Sequence, residues 1–420
     1  MKNIYVIGVH TMPFGKHLNK TIPEMTKITV DGVIEDACIS KTDIQSVHFG
    51  NCTWGYSEDQ HGVRSQIAMY EAGIDQVPIT NVEGACATGS IAFNGAWKDI
   101  LSGLYECTLA VGVEKLYMKD KKKMMDAFRV VGLDVAHEDE HFDLLDEISS
   151  DITFNVPEET APHSRFMDVY RYAALRHMQD YGTTREQLAA VAAKSHNNAM
   201  LNPNAQYHIP MTTEDVLKDY TVVWPFTRSM CSPIGDGAAS AVLCSEEFLN
   251  TLPKKIQKRA IKVLASVQNS YVIDDSSLSN RERSLKANGS IRASKIAYEM
   301  ANVKPEDIDV AEVHDASAIA EILQCENLGF CAPGEGGKLA ESGETKIGGS
   351  ISVNPSGGLL SRGHPIGASG LAMMHEIVIQ LRGEAGERQV NGAKIGLIEN
   401  GGGNVGVGEA ACVINILKKD

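Results

Sequence analysis

The sequence predicts an α/β protein made of two copies of one half-domain, the first copy interrupted by a long irregular insertion. Three observations carry this expectation. Short buried-strand runs alternate with segments of helical period at both ends of the chain. Landmarks found over residues 41–114 recur in the same order over residues 305–399. The alternation stops between about residues 115 and 227 and then resumes. The expected halves are residues 1–250, which hold the insertion, and 251–420.

Residues 4–9 (IYVIGV) read as a buried strand, Ile22 to Ile39 as a helix and Ser46 to Gly50 as a second strand. Val77 to Val82 is a third apolar run. It ends in Glu83-Gly84-Ala85, and after Cys86 small and apolar residues continue at helical spacing to Gly103. Glu106 to Glu114 is the next strand, and the alternation predicts a mainly parallel sheet covered by helices. The insertion is charged and loop-rich; KDKKK at 119–123 is expected to be a solvated face. Met167 to Tyr181 and Thr184 to Asn198 read as two helices within it, and Gly235 to Cys244 restores strand character.

The second half repeats these features. Ile261 to Val267 is a strand, Ser290 to Ala301 a helix, and Pro305 to Asp309 leads into Val310 to Val313 as Lys41 to Gln45 leads into Val47. His364-Pro365-Ile366-Gly367 opens a small-residue helix ending at Gly383, as Cys86-Ala87-Thr88-Gly89 opens one ending at Gly103. Lys394 to Glu399 echoes Thr108 to Glu114, and Glu409 to Leu417 echoes Gly237 to Cys244. If the halves pack about a pseudo-two-fold, Cys86 and His364 stand at the starts of equivalent helices and face one site.

A chain of 420 residues with 43% hydrophobic and 22% charged residues can bury a sizeable core. The net charge of −15 argues against non-specific binding to nucleic acid or anionic membrane, while leaving room for a small anion on a local basic cluster. The nine cysteines include no CxxC pair, which speaks against a zinc site or a secreted disulfide framework and for reduced thiols in the cytoplasm. The apolar start of the chain is too short for a signal-peptide core. No stretch approaches the roughly 20 apolar residues of a membrane span.

Four places hold the chemistry. NVEGACATGSIA at 81–92 puts Cys86 on the first turn of a helix, where unpaired N–H groups favour the thiolate, among small residues that leave a substrate room. His314 follows a strand, the end of a parallel sheet at which ligands bind. His364 stands in a segment holding Gly357, Gly358, Gly363, Gly367 and Gly370, so backbone can lie close to a ligand and histidine can serve as base or oxyanion donor. Glu399 precedes Asn400 and Gly401 to Gly403, a turn presenting bare N–H groups. Gly401, Gly403 and Gly406 match the spacing of a dinucleotide fingerprint, yet the segment after them reads as a strand rather than the helix that fingerprint requires.

With these residues in view, the chain resembles the thiolase superfamily, and more closely its sterol-carrier-protein-type branch. The resemblance spans nearly the whole chain and rests on the Cys86 stretch, residues 181–207, MCSPIGDGAAS at 230–240, EVHDAS at 312–317 and GHPIGASG at 363–370. It implies a five-layered αβαβα fold of two repeated halves plus a loop domain, and a homodimer. Cys86 would be the nucleophile that carries the acyl group, His364 its activating base, and His314 a second donor to the thioester oxygen. The N–H groups of Cys86 and Gly401 would form a second oxyanion hole. Coenzyme A would be co-substrate, with no cofactor or metal resident, and Arg165, Arg171, Lys194 and Arg228 would be the basic residues near it.

Two departures from the family pattern stand out. Glu399 takes the place of the acid/base cysteine before the glycines, and Ala316 stands where the branch often has a cysteine. Glutamate at that place resembles members that work beside a small zinc-ribbon/OB-fold subunit. The implied reaction is cleavage of a 3-oxoacyl-CoA by CoA, or the reverse Claisen condensation, with benzoylsuccinyl-CoA as substrate-level expectation. The alternatives are a retro-aldol lyase of acyl-CoA esters and a non-catalytic acyl-CoA-binding subunit.

Overall fold

A computed structural model describes residues 2–153, 156–157, 163–406 and 408–419. In the first half, β1 (Ile4–Thr11), α1 (Ile22–Ala37), β2 (Ser46–Gly50), α2 (Trp54–Glu58), α3 (Arg64–Ala72), β3 (Ile79–Val82), α4 (Thr88–Ser102) and β4 (Cys107–Lys115) follow one another. The start of α1 has a local cause. Thr21 and Glu24 form a reciprocal capping box at the head of α1, and Cys38 ends it in the left-handed region.

The insertion contains α5 (Lys121–Gly132), α6 (Glu138–Ile148), α7 (Phe166–Tyr181), α8 (Arg185–Ala199), α9 (Thr213–Lys218) and the small pair β5 (Thr221–Val223) and β6 (Phe226–Thr227). It is more helical than its charge density suggests. Asp120, inside the KDKKK run, caps α5 by accepting from the N–H groups of Lys122 and Lys123, and Lys119 to Lys122 are exposed as expected. Acidic residues crowd the first turn of α6 and hide the apolar face of Phe142, Leu145 and Ile148. The chain continues through β7 (Asp236–Ser245), α10 (Glu246–Thr251), α11 (Lys254–Arg259), β8 (Ile261–Ser270), α12 (Asn280–Ala287), α13 (Gly289–Ala301) and β9 (Val310–Glu312). It ends with α14 (Ala318–Asn327), α15 (Gly336–Glu341), β10 (Ser352–Val353), α16 (Ile366–Arg382), β11 (Ile395–Val405) and β12 (Gly408–Lys418).

The duplication is visible in the sheet. Its order is β10-β9-β11-β12-β8-β1-β7-β4-β2-β3, which reads as the same five-strand order from either end. In each half two pairings are parallel, β2 with β3 and β4 and their counterparts β9 with β10 and β11. The other two are antiparallel, β7 with β1 and β4, and β12 with β8 and β11. The halves join through a short antiparallel contact of Tyr5 and Val6 with Lys262 and Ile261. The sheet is therefore mixed, not mainly parallel as the alternation suggested. The last strand of each half enters antiparallel, because β12 returns from β11 through a tight hairpin and β7 takes the equivalent place after the insertion.

The layers run from α1 and α3, across the first half-sheet, through a central pair α4 and α16, across the second half-sheet, to α13. The central helices meet on glycine. A Cβ on Gly89 would lie 3.0 Å from the Gly367 carbonyl oxygen, and one on Gly370 would lie 2.5 Å from the Ser90 nitrogen. The fully buried Glu114, at the end of β4, then pins the head of α16. Its Oε2 accepts from the N–H groups of Gly367 at 3.0 Å and Cys52 at 3.1 Å. No helix among the described residues is long and apolar enough to cross a membrane.

Gly370→Ala places a methyl group where backbone already stands and is expected to destabilise the fold by about 1–3 kcal/mol. Gly62→Ala, at a site where an added Cβ meets nothing within 4 Å, is expected to stay within about 0.5 kcal/mol. Urea unfolding of both variants checks the difference.

Candidate active site

Cys86 sits at a bend between β3 and α4. Ala85 takes a left-handed φ of 48°, Ala85–Ala87 form one 3₁₀ turn, and the Gly84 N–H donates to Thr88 Oγ1 at 2.8 Å, closing the corner. Cys86 is 8% exposed and packs with Leu116, Ala127 and Ile366. The expectation of a depressed thiol pKa is corrected. Burial, reinforced by Glu114, pushes Cys86 up to about 12, and the N–H groups of Cys86 and Gly403 offset this only in part. At rest the sulfur is a thiol, so it needs a base.

His364 supplies one. Its Nε2 lies 3.2 Å from the Cys86 sulfur, and its Nδ1 lies 2.7 Å from Ser369 Oγ. Ser369 donates its own hydrogen to the Pro365 carbonyl at 3.0 Å, so its oxygen accepts the Nδ1–H. That assigns the tautomer: Nε2 carries the lone pair and faces the thiol. Burial, then the neighbouring His314 and Arg362, hold His364 well below its ordinary pKa, so the ring is neutral.

His314 is held in the opposite sense. Asn400 Nδ2 donates to its Nδ1 at 3.1 Å, while Ser90 donates to Asn400 Oδ1 at 2.9 Å and so fixes which way the amide points. His314 therefore carries its proton on Nε2. Burial, then Arg362, lower its pKa to about 4, and a neutral N–H donor results. The two rings meet edge to face at 5.2 Å, and the Cys86 sulfur and one nitrogen of each ring all lie within 4.8 Å of one another.

Glu399 is fully buried beneath His314. Its Oε2 accepts the His314 backbone N–H at 2.9 Å and its Oε1 accepts from Ser290 Oγ at 3.2 Å. Burial, then the nearby Glu409, raises its pKa. The glycine triplet runs inside β11 rather than in a loose turn. Gly401 pairs with Cys412 and lines the cavity beside Cys86, whereas the N–H that reaches the sulfur belongs to Gly403.

Two cavities open onto Cys86. The larger, about 710 Å³, is lined by Phe128, Tyr170, Tyr207 and Leu360 among others, with Lys218 and Arg228 on its wall. The smaller, about 210 Å³, is bounded by His314, Gly401, Asn288 and Glu409. Of the four basic residues expected near coenzyme A, Arg228 alone lines either of these two cavities, and it pairs with Asp219 at 2.9 Å. Lys194 is corrected outright: it is buried and bound to Glu321 and the Val353 carbonyl, so it holds α8 to α14. Arg165 lies over the Phe142 ring and pairs with Glu138 and Asp139; Arg171 lines neither cavity. Sequence reasoning missed Ser90, Ser290, Ser369, Asn400 and Glu409. Ser90 and Ser369 stood inside the quoted motifs, but nothing in the spacing showed that they orient the rings.

Residues 4–224 match the thiolase N-terminal domain, and residues 270–415 the thiolase C-terminal domain-like family. An acetyl-CoA acetyltransferase of Methanothermobacter thermautotrophicus is 38% identical over 407 residues, which covers 97% of this chain and 98% of that protein. Sterol carrier protein 2 of Homo sapiens is 33% identical over 425 residues, covering 98% of this chain and 71% of that protein. Among solved structures, a chain of the Ltp2-ChsH2(DUF35) aldolase superposes with a TM-score of 0.75 at 20% identity, over 98% of this chain and 97% of that one, a likeness of fold. Full-length relatedness in sequence and the match of both halves lead to one conclusion: the chain belongs to the thiolase family and is an acyltransferase of that family.

Proposed function

We propose that this thiolase works through an acyl group carried on Cys86, cleaving a 3-oxoacyl-CoA with CoA or running the reverse condensation. The single observation behind this reading is the 3.2 Å approach of the unprotonated His364 Nε2 to the Cys86 thiol. As the sulfur attacks the acyl carbonyl, the thiol proton passes to Nε2. The developing oxyanion is met by the Nε2–H of His314 and by the new Nε2–H of His364. The N–H groups of Cys86, Gly401 and Gly403 serve the acyl-enzyme carbonyl. Glu399, its pKa raised by burial, acts as the acid/base for the proton on the substrate α-carbon.

The larger cavity takes the pantetheine arm of coenzyme A along its apolar wall, with Arg228 and Lys218 at the anionic end. We read the halves 1–250 and 251–420 as the units that hold the site between them. A homodimer is supported by β3, which lies at the sheet edge beside the exposed Val63 and Tyr70. A small zinc-ribbon/OB-fold partner and a cytoplasmic setting complete the reading, the partner resting on Glu399 in the cysteine's place. Acetyl-CoA, named in the acetyltransferase relative, is the first donor to test, and benzoylsuccinyl-CoA the first larger substrate.

Intact-mass measurement after exposure to a panel of acyl-CoAs should show one acyl group, mapped to Cys86 and lost in Cys86→Ala. Release of an aldehyde with no CoA consumed would instead mark a lyase, and an unlabelled protein a binding subunit. Ser369→Ala frees the His364 tautomer and should slow acylation roughly 10–100-fold, read by quenched-flow mass spectrometry. Glu399→Gln should leave acylation largely intact and suppress carbon–carbon bond cleavage roughly 10²–10⁴-fold; full turnover would remove Glu399 from the mechanism.

A further inference from the structure

Glu399 alone leaves a difficulty. It is completely buried and lines neither cavity, yet an acid/base must exchange its proton with the medium in every turnover. A second carboxylate lies on the far side of Ser290. Ser290 Oγ is 3.2 Å from Glu399 Oε1 and 3.5 Å from Glu409 Oε2. Glu409 faces the smaller cavity together with Cys86 and His314.

The backbone makes a place for that carboxylate. A Cβ on Gly289 would stand 2.8 Å from Glu409 Oε2, and one on Gly401 would stand 2.6 Å from Glu409 Oε1. The niche exists because both residues lack a side chain, and one of them belongs to the glycine triplet beside Cys86. Glycine at 401 thus has a reason beyond access to the sulfur.

We propose that Glu399, Ser290 and Glu409 form one proton-transfer unit, with Glu409 the member that exchanges protons between the buried Glu399 and the cavity. This assignment rests on the thiolase reading given above. In condensation, the α-carbon C–H bond breaks and its proton goes to Glu399, whose Oε1 lies just behind the cavity-lining Gly401, 3.6 Å from where a Cβ there would stand. The electron pair forms the new carbon–carbon bond, and the Cys86 thioester bond breaks with its pair on sulfur, which takes up a proton from water by way of His364 Nε2. The Glu399 proton then passes to Ser290 Oγ as the Ser290 hydrogen moves to Glu409, which releases a proton to solvent water. Cleavage runs the same transfers in reverse.

The surroundings suit a shared proton. Burial raises the pKa of both carboxyls, and Glu409 raises Glu399 further. The other titratable or charged groups facing the pair are the Cys412 thiol on β12, Arg292 on α13, Tyr170 on α7 and the neutral His314. Arg292 is the one cation among them. Its guanidinium is engaged by the carbonyls of Ser270, Lys286 and Asn288.

The test uses the full chain, acetyl-CoA as probe, and D₂O. Acylation of Cys86 is measured first, then deuterium entry at the acetyl α-carbon, then the pH profile of condensation. In Glu409→Gln and in Ser290→Ala, acylation should persist, while deuterium entry and condensation should fall at least roughly tenfold. The acid limb in Glu409→Gln should move to lower pH, because removing the second carboxylate lets Glu399 ionise more easily. Glu409→Asp should recover part of the exchange. Native deuterium entry and an unmoved pH profile in Glu409→Gln would overturn the relay alone. A native protein that Cys86 labelling shows is never acylated would overturn the thiolase reading and the relay with it.

Discussion

The site depends on how closely two helices can approach. α4 and α16 come from different halves of the chain, and their first turns touch through Gly89, Gly367 and Gly370 with almost no side chain between them. Gly112, on β4, leaves room for the Gly367 carbonyl in the same way. Because Cys86 and His364 lie just before those turns, the closeness of the helices becomes the closeness of sulfur and imidazole. A larger residue at any of these glycines would push the two halves apart. The loss would appear as a longer sulfur–nitrogen distance before it appeared as a different fold. Glu114 makes the arrangement directional, since its carboxyl receives the head of α16 at the end of β4.

Within that frame the electrostatics follow from burial. Thiol, both imidazoles and the glutamates all sit where charge is poorly solvated, and each shifts toward its neutral form. A resting thiolate–imidazolium pair is therefore not the ground state. Charge appears only as reaction begins, when the proton crosses the 3.2 Å sulfur–nitrogen contact and donors already aimed at the site meet the charge that develops. The hydroxyls and amide behind the rings matter for that reason. Ser369 turns His364 into an acceptor toward sulfur, and Asn400 with Ser90 turns His314 into a donor. Two neutral histidines in contact thus have opposite hydrogen-bonding roles.

Much of the architecture was legible in the residues. β2 spans Ser46–Gly50 as expected, α7 begins one residue before the expected Met167, and the repeated landmarks reappear as a sheet whose order is the same from both ends. Periodicity reports burial, so strands and helices covered on one face are readable. The antiparallel entry of β7 and β12 was not readable, because strand direction is set by connections and pairing, not by hydropathy. α5 and α6 were hidden by charge, and Lys194 looked like an anion-binding lysine only because its partner Glu321 is 127 residues away in sequence. Glu409 carried no signal beyond the start of a strand. Its meaning comes from Ser290 and from two glycines far apart in the chain.

The base pairing of thiol and imidazole can be read directly from the reactivity of one sulfur. Alkylation of Cys86 by iodoacetamide, followed by peptide mapping from neutral to strongly alkaline pH, compares the native chain with His364→Ala. Expected is a native Cys86 that reacts near neutrality through His364, and a variant slowed roughly 100-fold until the pH approaches the thiol's own high pKa. Identical profiles in the two proteins would contradict a thiol activated by His364.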